Sequence, residues 1–200
     1  MNEQEWVRLI TKKLNDSLGS PSLLIEQGTK LPYAYEVFSF SDADKPHRKV
    51  MRYETDVLIS ERLLDVTTKP RVVIEAKIKS VTTHDAIIYS QKASAHKQVI
   101  PFLRYGIILG GRKHNPLPGR LFRHGVHFDF MQSFVDNEPT SSEWENFLRI
   151  VEDEIGYSKL FEEVLLNSRS RSRKRYTSLQ KHFDLRPKEN VNIVGRPKRI

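Results

Sequence analysis

Hydrophobic and polar residues alternate along residues 71–79, and this pattern predicts a β-strand. Successive side chains on a strand point to opposite faces. One face carries the aliphatic residues Val72, Ile74, Ala76 and Ile78, which are typical of a core. The other face carries Val73, Glu75, Lys77 and Lys79. A carboxylate and an amine two residues apart on such a strand indicate a functional site, although a charged strand face that prevents aggregation has the same pattern.

A second strand is predicted upstream, at residues 53–59. Its alternation places Thr55, Val57 and Ile59 on one face, and Glu54, Asp56 and Leu58 on the other. If the two strands pair, Asp56 can converge with Glu75 and Lys77 on one face of a sheet. Two carboxylates beside a lysine can bind Mg²⁺ and activate a water molecule, which suits phosphodiester hydrolysis.

The remaining pattern alternates helices with strands and predicts one α/β domain. Helices are expected at residues 3–18, from Thr82 or Thr83 to about Ile100, and from Ser141 or Ser142 onward, with the helical pattern resuming at residues 158–166. Further strands are expected at residues 33–40 and 105–111, with a possible hairpin turn at residues 41–46 and a connection at residues 63–70.

Asp56, then Glu75-Ala76-Lys77 on the next strand, then a helix and another apolar strand, resemble the PD-(D/E)XK nuclease superfamily, which includes many type II restriction endonucleases. The similarity covers about residues 30–111, and Thr55 stands in place of the proline that names the motif. The resemblance implies a restriction-endonuclease-like α/β core, with a central mixed β-sheet flanked by helices. It also implies a sequence-specific, Mg²⁺-dependent DNA endonuclease in which Mn²⁺ can substitute.

The same resemblance assigns roles to individual residues. It implies that Asp56 and Glu75 hold the metal with the backbone carbonyl of Ala76, and that Lys77 orients or polarises the attacking water. The products would carry 5′-phosphates, and cutting double-stranded DNA with two such sites implies a homodimer. Glu54 is a candidate extra metal ligand, with a surface acid as the alternative.

The helix that follows the Glu-Ala-Lys strand supplies further candidates. In the nuclease family this helix packs beside the site, and Gln91 and Lys92 are the residues here that would support it. A solvent-facing polar side of the helix is the alternative. His96 is either a phosphate contact or a half-buried helix residue.

The net charge of +8 is unevenly distributed. Residues 168–200 hold 11 Lys or Arg against 2 acids, whereas residues 129–163 hold 10 acids against 2 basic residues. Between Asp85 and Asp129 there is no acid. Basic zones of this kind favour nucleic-acid binding over a merely solvated surface. The candidate nucleic-acid-binding residues are Lys97, Arg104, Arg112, Lys113, Arg120, Arg123, Arg169, Arg171, Arg173, Lys174 and Arg175.

The resemblance implies a nuclease domain at residues 1–167, with its core motifs at residues 50–111, and the charge pattern predicts a basic arm at residues 168–200 that orders on nucleic acid. The tripeptide Gly195-Arg196-Pro197 resembles the core of an AT-hook, with a generic basic tail as the alternative. The amphipathic region at residues 141–166 either forms a dimer interface or packs on its own sheet.

Composition narrows the alternatives that remain. The chain has no cysteine, which excludes disulfides and thiolate metal sites. It has neither a secretory signal nor an apolar run long enough to span a membrane, so a cytoplasmic location is expected. His124, His127 and Asp129 form either a zinc or manganese site or a strand with a polar outer face. Two other functions remain open: a non-catalytic DNA-binding protein on a nuclease-like fold, and a nuclease subunit of a repair or RNA-processing complex.

Overall fold

A computed structural model describes residues 1–41, 45–64, 67–114, 116–167, 170–172, 175–179 and 185. In chain order the elements are α1 (Glu3–Leu18), β1 (Leu23–Gln27), β2 (Lys30–Phe40), β3 (Pro46–Glu54), β4 (Val57–Arg62), β5 (Thr68–Ile78), α2 (Thr83–Val99), β6 (Arg104–Gly110), α3 (Gly119–His124), β7 (Phe130–Ser133) and α4 (Ser141–Asn167). Among the described residues, no helix is both long and apolar enough to cross a membrane.

Five of the strands form a mixed sheet in the order β1-β4-β5-β6-β7. The β1–β4 and β4–β5 pairs are antiparallel, and the β5–β6 and β6–β7 pairs are parallel. The predicted pairing of the two motif strands is confirmed, since Val57 lies opposite Ile74. The helix α2 connects the parallel strands β5 and β6, as a parallel pair requires. The chain is therefore an α/β protein with a mixed central sheet flanked by helices.

The first face of the sheet packs against α1 and α4. Val72, Ile74 and Ala76 of β5 are fully buried there, as the alternation predicts. Trp6 of α1 and Phe147 of α4 pack onto the same cluster and are also fully buried. The chain buries the apolar stripe of each helix against a continuous aliphatic face, and this burial is the main stabilising contribution to the fold.

The second face is covered by α2, α3 and the start of β2. Val73 and Tyr105 pack there against Ala93 of α2 and Leu31 of β2. A neighbouring cluster joins Leu109 and Ile107 of β6 to Ala86 of α2 and Leu121 of α3. Since both faces are covered, the charged side of β5 is not a solvated outer surface.

The helix boundaries follow the expected capping signals closely. Asn2 and Glu5 form a capping box at the start of α1, and Thr82 and Asp85 form one at the start of α2. The helix α2 ends at Val99, one residue before the expected end, and Pro101 lies beyond it. The two helical patterns expected after Ser141 are one continuous helix, α4.

Three expectations about strands were wrong in detail. The strand expected at residues 53–59 is divided, because Thr55 leaves β3 and makes backbone hydrogen bonds with Gly28 and Thr29 instead. The connection expected at residues 63–70 is shorter, because β5 begins at Thr68. The segment containing His124, His127 and Asp129 is a helix end followed by turns, and it is not a strand.

An ion-pair network ties β4 and β5 to α4. Arg71 is only 3% exposed and forms ion pairs with Glu61 at 2.5 Å and Glu162 at 2.7 Å. Lys159 of α4 reaches Glu61 at 2.8 Å, and Lys69 reaches Glu162 at 2.6 Å. Since removal of one partner would leave a buried charge uncompensated, this network fixes how α4 lies on the sheet.

Gly106 on β6 makes room for an aromatic ring. It lies opposite Phe130 of β7, and a Cβ at Gly106 would stand 2.2 Å from that ring. Gly106→Ala is therefore expected to lower the free energy of unfolding by about 2 kcal/mol through overpacking, as measured by chemical denaturation.

Gly156→Ala is the matched control for this substitution. Gly156 lies inside α4, and a Cβ there meets no atom within 4 Å. The control is expected to raise the free energy of unfolding by roughly 0.5–1 kcal/mol through helix propensity. Equal effects of the two substitutions would contradict the packing of Phe130 against β6.

Candidate active site

The antiparallel pairing of β4 and β5 brings Asp56 beside the Glu-Ala-Lys segment. Asp56 immediately precedes β4, and its Oδ2 accepts a hydrogen bond of 2.8 Å from the backbone N–H of Ala76. Since Val57 lies opposite Ile74, the same register carries Asp56 toward Glu75. Glu75 and Lys77 follow each other on one face of β5. The structure therefore brings together the three residues that the sequence singled out.

Glu75 is an almost fully buried carboxylate, 1% exposed, in the middle of the sheet. The Tyr105 hydroxyl donates to its Oε1 at 2.5 Å, and Lys92 Nζ lies 2.8 Å from the same oxygen. Burial raises the pKa of Glu75 to about 7, against the lowering effect of Lys92; the nearby Asp56 adds to the rise. Glu75 can therefore gain or lose its proton near neutral pH.

Lys77 is held by the start of α1 and by α2. Its Nζ donates to Glu3 Oε1 at 3.1 Å and lies 5.4 Å from the centre of the Tyr89 ring. Burial by itself lowers the pKa of Lys77, but hydrogen bonds to Tyr89 and to the Glu3 carboxylate outweigh it and leave this pKa raised. Lys77 is therefore a permanent cation, with 20% of its side chain exposed.

Asp56 and Glu75 are the residues that could hold a metal ion. The hydrogen bond and the ion pair found for Glu75 both involve Oε1, and the hydrogen bond to Asp56 involves Oδ2. The second oxygen of each carboxylate is therefore the natural ligand atom. Carboxylate oxygens suit Mg²⁺ or Mn²⁺, and Mg²⁺ needs only one or two of them because it keeps several waters.

The alternative metal site at His124, His127 and Asp129 is not supported. No group of three or more His, Cys, Asp or Glu residues in the described part of the chain could hold a metal ion. Asp129 instead accepts from the backbone N–H of Tyr105 at 2.7 Å and forms an ion pair with Lys97 at 2.6 Å. These donors occupy the Asp129 carboxylate, so it anchors β6 and does not serve as a metal ligand.

Of the residues expected to support the site, some contact it and others lie on the surface or in the core. Lys92 reaches Glu75, whereas Gln91, one position before it on α2, is exposed. Glu54 is exposed at the end of β3, opposite Lys30 of β2. His96 is fully buried, so it cannot contact a phosphate, and burial lowers its pKa to about 4.

Several candidate DNA contacts have structural partners. Lys97 and Arg104 both form ion pairs with Asp129, and Arg104 also pairs with Glu154. Arg112 donates to the backbone carbonyl of Lys79. Since these groups are held inside the protein by their partners, they serve the fold more directly than a ligand.

The remaining basic candidates are either exposed or outside the described residues. Arg120 donates to the carbonyl of Val81 at 2.9 Å and has an exposed side chain. The cations Lys113, Arg123, Arg171 and Arg175 are exposed. Arg169, Arg173, Lys174 and the Gly195-Arg196-Pro197 tripeptide lie outside the described residues, as does most of the expected arm at residues 168–200.

Three residues of this site were missed by sequence reasoning. Glu3 shows only as an acid in the first turn of a helix, Tyr89 as part of an apolar stripe, and Tyr105 as part of an apolar strand. None of these patterns indicates a polar role. Tyr105, on the strand that follows α2, was the one available signal, because a buried hydroxyl requires a hydrogen-bond partner.

The raised pKa of Glu75 has a consequence for stability. Its value in the folded protein, about 7, exceeds its ordinary value of 4.5, so protonated Glu75 favours folding below about pH 4.5 and this contribution is lost as the pH rises through about 7. Relative to Glu75→Gln, the wild-type free energy of unfolding should fall by on the order of 2 kcal/mol between about pH 5 and pH 8. Denaturant titration in EDTA measures this difference.

Glu152→Gln is the control, because Glu152 is exposed on α4. Its stability should follow the wild-type pH profile. Wild-type and Glu75→Gln profiles that run parallel between the two pH values would contradict the burial of an ionisable Glu75.

No protein-family model matches the chain, and no curated protein sequence matches it. The function is therefore argued from the geometry of the site and from the chemistry of its residues.

Proposed function

We propose that the chain is a Mg²⁺-dependent DNA endonuclease with a restriction-endonuclease-like core, acting as a type II restriction enzyme. The observation that carries the proposal is the buried Glu75 carboxylate beside Asp56, with the charged Lys77 on the same strand. Two carboxylates and a lysine in this arrangement suit phosphodiester hydrolysis. The order of an antiparallel pair, a crossover helix and a parallel strand supports the same core.

The donor set fits Mg²⁺. Asp56 and Glu75 are the residues that would hold the ion, with the carbonyl of Ala76 as a further oxygen ligand. When bound, Mg²⁺ supplies Lewis-acid activation of a water molecule and neutralises charge on the phosphate. The proton on Glu75 must leave before the carboxylate can bind a cation, and a pKa of about 7 allows this at neutral pH.

Lys77 acts on the water or the phosphate, and Glu3 holds Lys77 in place. Lys77 is charged and partly exposed, so its ammonium group can donate to a water or to a phosphate oxygen. The Glu3 carboxylate holds the ammonium group in place at 3.1 Å. The water oxygen forms a bond to phosphorus, the bond to the 3′-oxygen breaks, and that oxygen takes up a proton. The products are a 5′-phosphate and a 3′-hydroxyl.

Tyr105 and Lys92 are positioning residues for Glu75. Both bind Oε1, so they fix the orientation of the carboxylate and leave Oε2 as the oxygen that would bind a cation. Lys92 also balances the charge of Glu75 when no cation is present. Groups that orient a metal ligand through its second oxygen typically change metal affinity about 10–100-fold when removed.

A second copy of the chain completes the proposed enzyme. Cleavage of both strands of a duplex requires two sites, and α4 carries a row of exposed apolar residues that a second copy can cover. The row consists of Tyr157, Leu160, Phe161, Leu165 and Leu166. The basic segment at residues 168–200 would add affinity for the phosphate backbone as a C-terminal extension.

Incubation of supercoiled plasmid with the purified chain and Mg²⁺ tests the enzyme. Discrete Mg²⁺-dependent fragments are expected, and EDTA should abolish them. Glu75→Ala should lower the rate by more than about a hundredfold because a metal ligand is lost. Glu152→Ala removes an exposed acid of α4 and should cut at the wild-type rate. Binding without cleavage in any divalent metal would overturn the enzyme and leave a non-catalytic DNA-binding protein.

Tyr105→Phe separates positioning from chemistry. The substitution removes the hydroxyl that donates to Glu75 and keeps the ring. The Mg²⁺ concentration for half-maximal activity is expected to rise about tenfold, with a smaller change in the rate at saturating Mg²⁺. Glu152→Gln, on the exposed face of α4, should leave the Mg²⁺ titration unchanged. A Tyr105→Phe enzyme with an unchanged Mg²⁺ titration would show that the hydroxyl does not orient the ligand.

A further inference from the structure

The strands β2 and β3 form a separate two-stranded ribbon between β1 and β4. Among its described residues, the base of the ribbon packs on the protein: Leu31 is buried against Leu58 and Val73, and Tyr53 contacts the ring of His96. From Tyr35 to Phe40 every residue of β2 is exposed. A two-stranded ribbon is marginally stable in water by itself, so a projecting ribbon with large apolar side chains indicates a binding surface.

The pairing register separates the two faces of the ribbon. Residues directly opposite each other in an antiparallel pair point to the same side. The face that we call the outer face is formed by Pro32, Tyr35, Val37 and Phe40 of β2 with Arg52, Val50, Arg48 and Pro46 of β3. The inner face is formed by Leu31, Ala34, Glu36 and Ser39 with Tyr53, Met51, Lys49 and His47. The Arg48 guanidinium lies 5.1 Å from the Tyr35 ring, as residues on one face should.

The outer face combines arginine with exposed apolar side chains. Tyr35, Val37 and Phe40 are 45%, 51% and 67% exposed, and Arg48 and Arg52 are exposed beside them. At the base of the ribbon, Lys30 lies opposite Glu54. Beyond that pair, the described residues of the outer face include no carboxylate. In the middle of the ribbon, the carboxylate residue Glu36 lies on the inner face, opposite Lys49.

We propose that the outer face of this ribbon is a DNA-binding arm that enters the major groove of duplex DNA. This inference rests on the proposed function for its choice of ligand. The major groove is wide enough for a two-stranded β-ribbon. Arginine binds guanine edges and phosphates, and the exposed Val37 and Phe40 are of the type that contacts thymine methyl groups.

Charge favours DNA over a second copy of the chain as the occupant. A twofold contact between two outer faces would bring Arg48 and Arg52 against the same arginines, and beyond Glu54 at the base the described residues of these faces include no carboxylate to compensate them. DNA offers phosphates to the cations and apolar base edges to the aromatic and aliphatic side chains. The mixed chemistry of the face therefore matches a nucleic-acid groove.

The arm is joined directly to the candidate site. The strand β3 ends at Glu54, and Asp56 follows two residues later. Between them, Thr55 is buried and makes three hydrogen bonds. Its backbone N–H and its hydroxyl both donate to the carbonyl of Thr29, and its own carbonyl accepts from the N–H of Gly28. The nine residues of β3 span about 30 Å. With DNA lying along the outer face, the arm would contact base pairs up to about nine positions away from the carboxylates.

Two neighbouring cations of β3 provide a matched test. Arg48→Ala removes a charge from the outer face, and Lys49→Ala removes one from the inner face of the same ribbon. The full chain is titrated onto a 40-base-pair mixed-sequence duplex in EDTA, and binding is followed by fluorescence anisotropy. Arg48→Ala should weaken binding about tenfold, and Lys49→Ala less than about twofold. Phe40→Ser, also on the outer face, should weaken binding as well.

A modified duplex tests the groove. Cytosines that carry bulky C5 substituents fill the major groove and leave the phosphates in place. The wild-type chain should bind this duplex about as weakly as Arg48→Ala binds the unmodified one. Undiminished wild-type binding to the modified duplex would overturn major-groove docking.

The remaining outcomes distinguish the arm from the enzyme. Equal losses for Arg48→Ala and Lys49→Ala, or no loss for Arg48→Ala, would overturn the arm even if plasmid cleavage is observed. The same holds if the ribbon variants change the sedimentation of the protein and not its DNA affinity. A loss confined to Arg48→Ala and Phe40→Ser in a chain that never cleaves would support the arm and overturn the proposed function.

Discussion

Burial of the Glu75 carboxylate inside a five-stranded sheet is the constraint on which the candidate site depends. A carboxylate that is 1% exposed is costly unless other groups satisfy it. Two elements supply such groups: β6 provides the Tyr105 hydroxyl and α2 provides Lys92, whereas the neighbouring acid Asp56 adds to the cost and raises the pKa of Glu75. The crossover from β5 through α2 to β6 is therefore tied to the site by hydrogen bonds as well as by apolar packing.

The charges of the chain are divided between holding the fold and facing the solvent. Arg71, Lys97 and Arg104 are paired with acids of β4, α4 and the segment before β7. These pairs explain why a long stretch without acids does not form one uniform basic surface. In the ribbon, Arg48 and Arg52 are exposed, and Arg48 lies 5.1 Å from the centre of the exposed Tyr35 ring. Placement, and not the number of positive charges, separates structural cations from those available to a ligand.

A column of rings connects the ribbon to the site. Tyr33 and Tyr53 stack at 3.7 Å at the base of the ribbon, Tyr53 meets His96 edge-on at 6.0 Å, and His96 lies 5.7 Å from Tyr105. Tyr105 then donates to Glu75. Because burial lowers the pKa of His96 to about 4, the ring is neutral and packs as a core residue near neutral pH. The orientation of the ribbon and the position of the buried carboxylate are thus set by one continuous packed layer.

The hydrophobic pattern and the capping signals of the sequence predict the local elements that carry the candidate site. Alternation placed β5 and its two faces, and the capping residues marked α1 and α2. The convergence of Asp56 with Glu75 and Lys77 followed from the period of a strand, since that period assigns each side chain to a face. Only the tertiary structure decided that both faces of β5 are covered, so that Glu75 lies in the interior and its pKa is raised.

The tertiary structure also decided which distant residues meet the site. Glu3 is 74 positions from Lys77, and Tyr105 is 30 positions from Glu75. The packing of the whole chain also makes Asp129 an anchor for β6, and it leaves the middle of the ribbon projecting beyond the sheet. Periodicity assigns a residue to a face of its own element, but contacts between elements depend on how the chain packs as a whole. For that physical reason the catalytic candidates could be read from the pattern, and their partners could not.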